Sequence, residues 1–143
     1  MKKLKLAAVF GNDMVLQREK NINFWGEAEY RATVTVCIEN ISRKTVSDEK
    51  GQWKLSFPPM TAGGPYTVTV SDGTDTIEFT NVMIGEVWFA GGQSNMQFEL
   101  CNCKSYMQAR EEQKKEKYNI RFYRAVKISF FSDDFEKKER KAK

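Results

Sequence analysis

The segment Gly91-Gly-Gln-Ser-Asn-Met96 puts one serine, Ser94, just beyond the apolar run Glu86-Val-Trp-Phe-Ala90 and ahead of a stretch rich in Gln, Glu, Lys, Ala and Met, which are good helix formers. A serine at a strand-to-helix turn is well placed for nucleophilic chemistry. The glycines permit a tight turn, the hydroxyl is lifted clear of the sheet edge, and the free N–H groups of a helix start can stabilise an oxyanion. The same spacing suits a plain structural role, because Ser94 and Asn95 are both favoured helix N-caps. The Gly-x-Ser-x-Gly elbow of the α/β-hydrolases is absent. A serine hydroxyl is a weak nucleophile until a base takes its proton, and the chain contains no histidine. It therefore has no imidazole base, no Cys/His zinc set and no Ser-His-Asp triad of its own.

The elements that must position Ser94 divide near residue 103. Residues 1–103 hold 10 basic and 12 acidic side chains, whereas residues 104–143 hold 13 and 7. In the first part, short alternating runs at 22–28, 32–39, 41–47, 52–57, 66–71 and 76–82 are separated by turn signals. These signals are Asp48-Glu-Lys-Gly51, Pro58-Pro59, Gly63-Gly64-Pro65 and Asp72-Gly73, where Gly and Asp tolerate positive φ and Pro sets the turn. This pattern predicts an all-β sandwich. Leu4, Leu6 and Ala8 are expected on one face of a first strand, since the apolar stretch after Met1-Lys-Lys is too short for the usual signal peptide. From Gly85 the pattern changes. Residues 86–90 read as a strand buried on both faces, 96–117 as a helix and 119–126 as a further strand, together one βαβ unit. A single such unit cannot cover both faces of its strands, so the α/β part is expected to be incomplete. On charge spacing, Glu111 and Lys115 form one favourable pair, but Arg110 with Lys114 and Glu112 with Glu116 put like charges at the same spacing, so ion pairing carries little weight. Residues 132–143 read as a solvated end.

The wording around Ser94 carries more than its spacing. Gly91-Gly-Gln-Ser-Asn-Met-Gln-Phe98, preceded by Val82-Met-Ile-Gly-Glu-Val-Trp88, resembles the first sequence block of the sialate O-acetylesterase family within the SGNH (GDSL-like) hydrolases. Met14-Val-Leu-Gln-Arg18, Phe24-Trp-Gly26, Gly51-Gln-Trp-Lys54 and Pro58-Pro-Met-Thr-Ala-Gly-Gly-Pro-Tyr66 follow the family's order upstream. The resemblance covers residues 4–126. It implies a β-sandwich over 1–83 feeding an SGNH domain with a flavodoxin-like parallel sheet, begun in 84–143, in a chain that is mainly β overall. It also implies that Ser94 attacks the ester carbonyl of an O-acetylated sugar, that the Ser94 backbone N–H is one oxyanion donor, and that Gly92, Gln93 and Asn95 shape the site. In the family the base is a histidine in a late Asp-x-x-His block. Here Asp133-Asp134 is followed by Phe135 and Glu136. The expectation is a serine esterase portion that is inactive alone, its substrate an O-acetylated sugar and its missing partners supplied, if at all, by a complementary C-terminal chain. A non-enzymatic β-sandwich binding module is the alternative.

Other features receive plainer readings. Trp25, Trp53 and Trp88 could stack on a sugar, but tryptophans in a small sandwich are usually core. The basic stretch from Lys104 onward interleaves Glu111, Glu112 and Glu116 and matches no reader motif, so no nucleic acid is expected. The longest apolar runs fall far short of the roughly 20 residues a membrane helix needs, so no membrane partner is expected. Asn12 and Asp13 lack ligand spacing, and neither metal nor cofactor is expected. Cys37, Cys101 and Cys103 are odd in number, and the last two are too close for an ordinary disulfide or zinc knuckle, so they read as reduced thiols with a preference for the cytoplasm, although family members are often exported.

Overall fold

The computed structural model describes residues 3–92, 98–115 and 119–125. Period-two alternation builds its first sheet. In β3 (Ile22–Glu27), Ile22 and Phe24 point inward while Asn23 and Trp25 face out. In β6 (Gln52–Phe57), Trp53, Leu55 and Phe57 point inward and alternate with Gln52, Lys54 and Ser56. With β1 (Lys5–Leu6) they form a three-stranded antiparallel sheet in the order β1-β3-β6. The second sheet has the order β2-β8-β7-β4-β5. Its strands are β2 (Val15–Gln17), β4 (Thr33–Ile38), β5 (Ile41–Val46), β7 (Gly63–Ser71) and β8 (Thr76–Gly85).

One apolar core lies between the two sheets. Phe24, Leu55 and Phe57 from the first meet Val34, Val36, Ile38, Val68, Val70, Val82 and Ile84 from the second, all buried. Fully burying a side chain of this size contributes about 1.5–3 kcal/mol, so this layer dominates the stability. The turn signals form as their chemistry dictates. Asp48 Oδ1 accepts from the N–H groups of Lys50 and Gln52 at 2.9 and 2.8 Å. Asp72 Oδ1 does the same for Thr74 and Asp75, and Gly51 and Gly73 take positive φ. The first part is therefore the expected two-sheet β architecture.

Several expectations are corrected. Residues 86–90 form no strand: Trp88 is 88% and Phe89 97% exposed, because nothing among the described residues pairs with this run or covers it. Residues 119–125 are likewise irregular. Arg121 instead donates through both terminal nitrogens to the main-chain and side-chain oxygens of Asn81, which holds φ 55° in β8. Gly63-Gly64-Pro65 is not a turn but the irregular start of β7, with a cis bond at Gly64-Pro65 and register shifts on either side of Tyr66. Ala8 is exposed in a turn, while Leu4 and Leu6 are buried as expected.

The helix is shorter than the sequence indicates. It comprises α1 (Tyr106–Lys115) after a 3-10 turn at Leu100–Asn102, and it has no buried residue. Glu111 pairs with Lys114, 2.6 Å away, rather than with Lys115. Of the three tryptophans, only Trp53 is core, at 3% exposure, and its buried Nε1 finds no acceptor among the described residues.

Candidate active site

Ser94, the candidate nucleophile, lies outside the described residues with Gln93 and Asn95, so the surroundings of the candidate site are approached from the strand that leads to it. β2 pairs in parallel with the end of β8, matching Val15 to Met83, Leu16 to Ile84 and Gln17 to Gly85. The parallel register brings the carboxyl ends of both strands out together. Beyond β8 the chain runs through Glu86 to Gly91 and Gly92, both exposed and in irregular backbone.

Three side chains fix that exit. Arg18 Nε donates to Glu86 Oε1 at 2.5 Å, and Gln17 Nε2 donates to Glu86 Oε2 at 3.2 Å. The Val87 N–H donates back to Gln17 Oε1 at 2.9 Å, while the Arg18 N–H donates to the Gly85 carbonyl at 2.9 Å. Gln17 therefore uses both ends of its amide to hold two consecutive residues, and Arg18 uses backbone and side chain for the same purpose. The Gln17 hydrogen bond, followed by that from Arg18, holds the Glu86 carboxyl below the usual carboxylate range, and Glu86 in turn raises the Arg18 guanidinium. A carboxylate committed in this way is a poor general base and a good anchor. Its work is to aim the chain that carries Gly91 and Gly92.

This clasp was missed in the sequence. Gln17 and Arg18 stand in the Met14-Val-Leu-Gln-Arg18 motif, but their partner Glu86 lies 69 and 68 residues further on, and exposed polar residues give no periodic signal. Among the described residues no group of three or more Cys, Asp, Glu or His could hold a metal ion. Cys37, Cys101 and Cys103 are free thiols. Cys101 donates to Glu99 Oε2 at 3.4 Å, and that carboxylate pushes the thiol's pKa up, away from the thiolate a nucleophile requires.

The two-sheet architecture recurs in a known class of enzymes. The crystal structure of a carbohydrate acetylesterase from Xanthomonas citri superposes with a TM-score of 0.70 at 32% identity, over 73% of this chain and 24% of that one. No family model matches the chain. The sialate O-acetylesterases of Homo sapiens and Pongo abelii are each 35% identical over 127 residues, covering 74% of this chain and 24% of each relative. The Mus musculus enzyme is 36% identical over 104 residues, with 65% and 19% covered. The chain belongs to the sialate O-acetylesterase family and spans about a quarter of the length of these curated relatives.

Proposed function

We propose that this chain supplies the β-sandwich (residues 1–83) and the nucleophile-bearing start of an SGNH domain (84–143) to a serine esterase that removes O-acetyl groups from sugars, sialic acid among them. The observation that carries this reading is the 35% identity to proteins named sialate O-acetylesterase, in a chain that retains the Gly91-Gly-Gln-Ser-Asn-Met96 block. Ser94 Oγ attacks the acetyl carbonyl, and the backbone N–H of Ser94 helps to hold the oxyanion. As the tetrahedral intermediate collapses, the sugar oxygen leaves with a proton and the acetyl group stays on Ser94. Water then releases acetate.

The proton acceptor that both halves of this cycle need is not encoded in these 143 residues, which contain no histidine. It must come from a polypeptide bearing the family's late Asp-x-x-His block. Without it, oxyanion and binding effects in serine proteases leave at most roughly 10³–10⁴ over water, and here only part of the oxyanion hole is present.

Purified chain is therefore expected to hydrolyse p-nitrophenyl acetate no faster than Ser94→Ala chain. Turnover that Ser94→Ala abolishes would contradict the proposed inactivity.

A further inference from the structure

The outward face of the three-stranded sheet carries an arrangement that ester hydrolysis leaves unused. Trp25 is 43% exposed at the centre of β3, against an open groove of ≈970 Å³. Register sets its neighbours: Lys54 lies directly opposite Trp25 on β6, while Glu27 stands between Lys5 on β1 and Gln52 on β6. Directly opposed residues share a face, so the indole is ringed by Lys5, Glu27, Gln52 and Lys54, with Asn23 two residues away on its own strand. All of these border the groove.

The indole is also held from within. Phe10 packs edge-on against Trp25 at 4.7 Å between ring centres and stacks at 5.2 Å on the fully buried Phe24. Gly26, the next residue of β3, sits on the opposite, core-facing side between Leu6 and Trp53. A Cβ there would lie 2.0 Å from the Lys5 carbonyl, so glycine lets β1, which carries Lys5, pair this closely.

An anchored, half-exposed indole set among amide and charged groups in a groove suits one kind of ligand. A pyranose ring offers an apolar C–H face to the indole and hydroxyls that accept from Lys and Asn or donate to Glu and Gln. We propose that the Trp25 face binds a pyranose ring of a glycan, in a groove none of whose lining residues belongs to the 86–92 segment. Binding there needs neither Ser94 nor a histidine, so it stands or falls independently of the hydrolytic reading.

The test is a titration of the isotope-labelled 143-residue chain with xylohexaose, cellohexaose and 3′-sialyllactose, followed by NMR. At least one probe is expected to shift the Trp25 indole N–H together with the amides of Asn23, Glu27, Gln52 and Lys54, with a dissociation constant on the order of millimolar, typical of a contact worth about 4 kcal/mol. Trp25→Ala should weaken binding at least about tenfold, the loss of roughly 1.4 kcal/mol of stacking, while Trp25→Tyr retains it. Trp88→Ala and Ser94→Ala should leave it unchanged. Mapping in the unsubstituted chain keeps the test valid even if Trp25→Ala fails to fold. Absence of a saturable shift with all three sugars, shifts centred away from this face, or undiminished binding by folded Trp25→Ala would each overturn the proposal.

Discussion

Glu86 leaves the sheet one residue past Gly85 and is met at once by Gln17 and Arg18. Both partners favour the charged carboxylate, so its folded pKa lies below the unfolded value. The stabilisation this gives is present above the ordinary glutamate range, near pH 4.3, and is lost as pH falls through the lowered folded value. In an NMR pH titration, Glu86 is expected to titrate below that range, with the Val87 amide shift following the same midpoint. Gln17→Ala or Arg18→Ala should move the midpoint back up. An ordinary midpoint that neither substitution changes would show that the clasp does not form in solution. Single residues also explain the wording of the upstream motifs: in Phe24-Trp-Gly26 the first fills the core, the second faces the groove and the third admits β1.

At the scale of elements, what was legible in the sequence was what local chemistry decides. Runs such as Thr33-Val-Thr-Val-Cys-Ile38 and Gln52-Trp-Lys-Leu-Ser-Phe57 alternate because one face is core, and they formed strands close to their expected bounds. Elements decided by distant partners were not legible. β2 has three residues, too few for a readable alternation in sequence, and it exists because the end of β8 offers it an edge. Residues 86–90 failed in the opposite sense, since an apolar run becomes a strand only where another strand accepts its hydrogen bonds. The candidate site divides in the same way: Ser94 is singled out by local wording alone and lies outside the described residues, whereas the Gln17–Arg18–Glu86 clasp required the fold. α1 has helix-forming residues but buries none, and an unsupported ten-residue helix is marginal in water. Hydrogen exchange should therefore find its amides barely protected while those of Val36, Val68 and Val82, all fully buried, exchange slowest. Protection of α1 to the level of β4 and β7 would mean that it packs against something.

The whole molecule joins a well-packed sandwich to a segment whose large apolar side chains, Trp88, Phe89 and Phe122, face solvent. Its curated relatives are about four times as long as the part it matches. Its proposed chemistry is correspondingly divided: the acyl-accepting hydroxyl is on this chain and the proton acceptor elsewhere. The most direct measurement is of a chimera in which this chain replaces the aligned quarter of the human sialate O-acetylesterase, assayed on an O-acetylated sialic acid with and without Ser94→Ala. The expected result is hydrolysis that Ser94→Ala lowers at least about a thousandfold, as loss of a triad serine does. Equal hydrolysis by both chimeras would show that the attacking hydroxyl is not Ser94.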